Sequence, residues 1–162
     1  MWTTLSGFLD RFFALAAALI CAQIPQYYQQ YLLCLTGHVG ELSFQVKALT
    51  HTAEKTNKTV PQLIEKFLNN SDPDFHLQGE LMQALVKRFE SFTAALKNLQ
   101  DSSLLLRPFR LLWNLDSGVA KETWSEFEFG LVFNLETLFY LVIGMCLGYL
   151  FYQGLRRIFT RK

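Results

Sequence analysis

The chain has 162 residues, is 51% hydrophobic and 15% aromatic, and carries only 18% charged residues, with a net charge of +1. A typical soluble domain carries about 25% charged residues, so the charge deficit points away from an ordinary soluble globule. The near-zero net charge gives no field for nucleic acid, and no nucleic-acid partner is expected.

The charges are segregated. Between Phe12 and Gln45 only Glu41 is charged, and between Thr137 and Leu155 nothing is. The apolar run at residues 12–25, FFALAAALICAQIP, is too short to span a bilayer alone. Two readings of it are open. One is a retained anchor over residues 4–27, with Tyr27, Tyr28 and Tyr31 at the far membrane interface. The other is a cleaved signal, for which Ala16, Ala17 and Ala18 supply the small-residue site. That site falls inside the apolar run, and no Lys or Arg precedes Arg11, so the anchor is preferred.

Residues 28–53 follow a heptad. Tyr28, Leu32, Leu35, Val39, Leu42, Val46, Leu49 and Ala53 alternate at spacings of four and three, the seam of a coiled coil or a long bundle helix. Gly37 and Gly40 interrupt it and mark a close helix contact or a bend. Thr59-Val60-Pro61-Gln62 reads as a capping box opening a tip helix over 60–70. Asp72-Pro73 reads as the start of a return helix. The second seam, Leu85, Phe89, Phe92, Leu96 and Leu99, lies on that return helix, so the two seams predict an antiparallel hairpin.

Pro108 ends the return helix. The amphipathic segment 108–116 then lies along a membrane interface or forms a third core helix. Asp116-Ser117-Gly118 reads as a turn before the last long helix. That helix, over 128–156, holds the uncharged stretch TLFYLVIGMCLGYLFYQGL and reads as a transmembrane span. Arg156, Arg157, Arg161 and Lys162 follow it and place the C-terminus in the cytoplasm by the positive-inside rule. Tyr149 and Tyr152 fit an aromatic belt there.

The fold class expected is therefore an all-α membrane protein: two hydrophobic terminal helices flanking a long antiparallel helical hairpin over 28–127. Both termini would be cytoplasmic and the hairpin would face the opposite compartment. Small residues line both anchors, Ala14, Ala18 and Ala22 on the first and Gly144 and Gly148 on the last. Such faces pack helices closely, within one chain or between chains. Together with the seam residues Leu32, Leu35, Val39, Leu42 and Val46, they are the candidates for helix packing or oligomerisation. Glu136 and Asn134 are the candidates for an ion or polar site, with Gln23 and Gln30 beside them. Asp10 is level with Arg156 and Arg157, where an ion pair would lock the anchors. Cys34 is the single thiol outside the hydrophobic ends, free or bridging two chains.

No CxxC spacing, Cys/His cluster or catalytic motif is visible, and His38, His51 and His76 are far apart. No metal, cofactor or catalytic residue is expected, and the chain reads as non-enzymatic. The expected partners are the lipid bilayer and either further copies of the chain or a membrane-protein complex. The expected function is a membrane-anchored helical scaffold or self-associating assembly protein, with an ion-channel or transporter subunit as the alternative.

The stretch AQIPQYYQQYLLCLTGHVGEL, residues 22–42, resembles the opening of an uncharacterised family of bacterial inner-membrane proteins. The matching residues are Ala22, Gln23, Pro25, Gln29, Gln30, Tyr31, Leu35, Gly37, His38 and Glu41. The resemblance implies a bacterial inner-membrane setting, in which the charge-derived topology would put the hairpin in the periplasm. It implies no activity.

Overall fold

The structure is a computed structural model. It describes the backbone of residues 2–104, 106–130 and 135–160, and side chains over 11–104, 106–130 and 135–154. Among these residues the protein is all-helical, with six helices and no strand: α1 (Trp2–Lys55), α2 (Val60–Leu68), α3 (Pro73–Gln100), α4 (Arg107–Trp113), α5 (Ser117–Ser125) and α6 (Leu135–Thr160).

The spine is α1, whose 54 residues span about 80 Å at 1.5 Å each. The sequence suggests a division at residue 27, but the helix runs unbroken through Pro25. A proline inside a helix costs about 3 kcal/mol. Packing on both sides of Pro25 outweighs that cost. Helix α3 runs back along the C-terminal half of α1, and α6 runs back along its N-terminal half, so two antiparallel pairs share one helix.

The α1–α3 pair follows the two seams. Tyr28, Tyr31, Leu35 and Leu42 bury against Phe92 and Leu99, joined by Leu111 and Val119, with Leu32, Val39, Leu85, Phe89 and Leu96 at the margins. The tip is closed as the sequence predicts. Thr59 caps α2, its backbone N–H donating to Gln62 Oε1 at 2.9 Å and its hydroxyl accepting from the Gln62 N–H at 3.4 Å. Asp72 caps α3 through the Asp74 N–H at 3.0 Å. Leu49, Ala53 and Leu63 form a second small core there. The close contact at the tip is Gly79, where a Cβ would fall 2.8 Å from the Leu68 nitrogen. Gly37 and Gly40 mark neither a close contact nor a break: nothing lies within 4 Å of a Cβ at either, and α1 continues through both.

Two further readings are corrected. Asp116 does not make a turn into the last helix; it caps a separate short helix, α5, accepting from the N–H groups of Gly118 at 3.0 Å and Val119 at 3.1 Å. Nor does Pro108 end the return helix: α3 closes at Gln100, and Pro108 sits in the first turn of a separate short helix, α4. Leu111 of α4 enters the core, while Phe109, Leu112 and Trp113 point outward, Trp113 at 92% exposure.

Among the described residues, one stretch, Leu135–Gly154, is long and apolar enough to cross a membrane. The expected N-terminal span, 4–27, begins ahead of the described side chains.

Candidate functional site

The helix junction around residues 26–38 of α1 gathers side-chain hydrogen bonds to several segments distant in sequence. Three tyrosines, expected at a membrane interface, fasten the incoming segments to α1. Tyr28 donates to the Leu99 carbonyl at 2.7 Å and lies 2.9 Å from Ser102 Oγ. Tyr31, at 0% exposure, donates to the Asn114 carbonyl at 3.3 Å and accepts from the Asp116 N–H at 2.9 Å. Tyr27 donates to the Ala120 carbonyl at 3.3 Å. A buried tyrosine hydroxyl needs such a partner, and here backbone carbonyls of three other segments supply it.

One turn further along α1, Cys34 and His38 stand four residues apart and so share a face. Helix α5 brings Glu122 to them. His38 Nε2 and Glu122 Oε2 are 2.8 Å apart, with side-chain exposures of 30% and 48%. One donor atom from each of Cys34, His38 and Glu122 lies within 4.8 Å of the others. The His38 ring also packs edge-on against Phe92 at 6.0 Å, which fixes its plane. Burial pushes the Cys34 thiol up from its ordinary pKa; a hydrogen bond with Thr123 opposes this, and the nearby Glu122 and Glu126 carboxylates add to it. The three residues line an open groove of about 460 Å³ with Gln30, Gly37, Glu126 and Glu128, and no Lys or Arg borders it.

The expectation that no Cys/His cluster forms is therefore corrected for Cys34 and His38. Their i, i+4 spacing is the signal that could have found that half. Glu122, the third member, lies 84 residues from His38 and carried no local signal.

The other expected site residues separate. Glu136 is 8% exposed and accepts a charge-assisted hydrogen bond from Arg107 Nη1, so its carboxylate is paired. The Arg107 guanidinium lies over the Tyr28 ring at 5.4 Å. Tyr140, on the next turn of α6, donates to the Leu104 carbonyl at 3.4 Å. Gln23 donates to its own helix at Leu19 O, and Gln30 donates to the Glu128 carbonyl at 3.3 Å. Asn134 lies outside the described residues, as do the side chains of Asp10, Arg156 and Arg157.

The small-residue faces meet within the chain. A Cβ on Gly144 would fall 2.6 Å from Ala18 Cα and 2.7 Å from the Ala17 carbonyl; one on Gly148 would fall 2.6 Å from the Phe13 carbonyl and 2.8 Å from Ala14 Cα. Ala18 and Ala22 are buried.

A family model for a protein of unknown function, DUF2937, matches residues 5–162. The chain belongs to the DUF2937 family. The match covers both antiparallel pairs, so the spine helix and the groove lie within the DUF2937 region. No curated protein and no solved structure matches this DUF2937 chain.

Proposed function

We propose that this protein is a non-catalytic membrane scaffold of the bacterial inner membrane. In this reading α6 and the first half of α1 form a two-helix anchor, and the α1–α3 hairpin is an arm of about 40 Å held off the bilayer. The observation that carries it is the backbone contact of Gly144 and Gly148 with Ala14, Ala17 and Ala18. Close approach through small residues is how helices associate in lipid, where apolar side chains gain little by leaving the solvent. The outward faces of the same pair, Leu15, Ile20, Leu138, Leu147, Leu150 and Phe151, are exposed and apolar, as a lipid-facing surface requires. At the junction, Phe109, Trp113, Trp124 and Phe129 are exposed at the level where an interfacial aromatic collar would sit.

The anchor contact and both heptad seams are used inside one chain, so self-association needs another surface. The outer face of α1 offers one. Leu33, Gly37, Gly40 and Phe44 form a stripe, with Leu33 75% and Phe44 71% exposed and open space above both glycines. A second copy of the same helix is the occupant we assign to it. The channel reading draws no support from Glu136, which is neutralised by Arg107 and buried.

Labelling tests the anchor. In a Cys34→Ser chain, a membrane-impermeant maleimide applied to spheroplasts is expected to label the thiol introduced by Thr93→Cys on the arm. Native Cys146 should stay unlabelled until detergent is added. Equal labelling of Cys146 without detergent, or recovery of the chain in the soluble fraction, would sink the reading.

A further inference from the structure

We propose that Cys34, His38 and Glu122 form a Zn(II) site that clamps α5 onto α1. A thiolate sulfur, an imidazole nitrogen and a carboxylate oxygen are the three donor types that zinc takes in proteins. At bond lengths near 2.0–2.3 Å, two tetrahedral ligands sit about 3.5 Å apart. The three donor atoms already lie within 4.8 Å of one another. The 2.8 Å contact between His38 and Glu122 needs to open by less than about 1 Å to admit the ion.

The surroundings select a cation. Glu126 and Glu128 line the same groove and no Lys or Arg does; Arg88 borders His38 from the neighbouring hollow between α1 and α3. The fourth position faces the groove, where Glu126 and water are the available donors. The set is also preorganised. Cys34 and His38 sit on a rigid helix, Phe92 holds the imidazole plane, and the Asp116 cap fixes the start of α5 two turns before Glu122. Binding releases the Cys34 proton to solvent as the thiolate forms on the metal, with no change in oxidation state.

The sulfur favours zinc over magnesium or calcium, which take oxygen donors. Cobalt(II) accepts the same tetrahedral set and supplies a spectrum. The full chain, purified in mild detergent and stripped with chelator, is titrated with Co(II) and then Zn(II). The expected result is one equivalent of Co(II) with a thiolate-to-cobalt charge-transfer band, displaced by Zn(II). Cys34→Ser should abolish the band, and Glu122→Gln and His38→Ala should each weaken Zn(II) binding by about 10-fold or more. His51→Ala, far along α1, should change nothing. Absence of stoichiometric binding by the full chain overturns the proposal. So does a band that survives Cys34→Ser. Glu122 is half-exposed, so Glu122→Gln leaves the fold intact, and an unchanged Zn(II) affinity in that variant overturns the proposal equally. The titration is read in detergent, so its result stands apart from whether the chain crosses a bilayer.

Discussion

The two antiparallel pairs share one helix but pack by opposite means. Between α1 and α6 the contact is backbone against backbone, through Gly144, Gly148, Ala14, Ala17 and Ala18. Between α1 and α3 it is side chain against side chain, with Tyr28, Tyr31, Leu35 and Leu42 filling the space to Phe92 and Leu99. The change falls within two turns, from Ala22 to Tyr28. Large apolar side chains drive association where water is the alternative. Small ones suit a setting where lipid is the alternative and only close van der Waals contact gains anything. The junction between the two regimes is where the chain places its buried ion pair and its tyrosine hydrogen bonds.

That junction is the place to break the comparison with the largest effect. Arg107→Ala removes the partner of Glu136, a carboxylate 8% exposed. An uncompensated buried charge costs about 3–5 kcal/mol. Thermal unfolding in mild detergent is expected to show the variant strongly destabilised, and Arg107→Ala combined with Glu136→Gln should recover part of the loss. A single variant as stable as the parent would show that the pair is solvated and that the two regions are not joined through it.

The parts of this arrangement legible in the sequence are those that repeat locally. The 4-3 spacing from Tyr28 to Ala53, the Thr59 capping box and the Asp72-Pro73 start each depend on neighbours a few residues away, and each is found in the structure. The hidden parts depend on contacts across the fold. Tyr28 and Tyr31 looked like interfacial aromatics because their type fits a membrane boundary; their burial is decided by Ser102, Asn114 and Asp116, which arrive from distant segments. Helix α5 was hidden because Asp116-Ser117-Gly118 serves a turn as well as an N-cap. Of the groove, neither half was read: Cys34 and His38 share a helical face only once residues 34–38 are known to lie in α1, and Glu122 arrives from a helix 84 residues away.

A smaller effect separates the two packing modes directly. Gly144→Ala adds one methyl group where a Cβ would meet Ala18 Cα at 2.6 Å and the Ala17 carbonyl at 2.7 Å. Backbone atoms cannot step aside as a flexible side chain can, so the helices must separate. Overpacking of this kind costs about 1–3 kcal/mol, more than the helix-propensity gain of about 1 kcal/mol from replacing glycine. A lowered unfolding temperature in detergent is expected, with Gly148→Ala behaving alike. Unchanged stability in both variants would mean that α1 and α6 pack more loosely than the contact distances state.

The smallest effect has the opposite sign. Gly40→Ala places its methyl in open space on the same helix. Only the propensity gain applies, so the chain should be stabilised by up to about 1 kcal/mol. A helix that carries two such glycines without using them internally forgoes that stability unless another surface needs the close approach. Native mass spectrometry of the detergent-extracted chain distinguishes the cases. If the Leu33–Phe44 stripe seats a second copy, Gly40→Ala shifts oligomer toward monomer while raising the unfolding temperature of the monomer, and Phe44→Glu shifts it further. If the oligomer is indifferent to both substitutions, the stripe is not where copies meet, and the scaffold reading must find its assembly face on α3 or the α4–α5 collar instead.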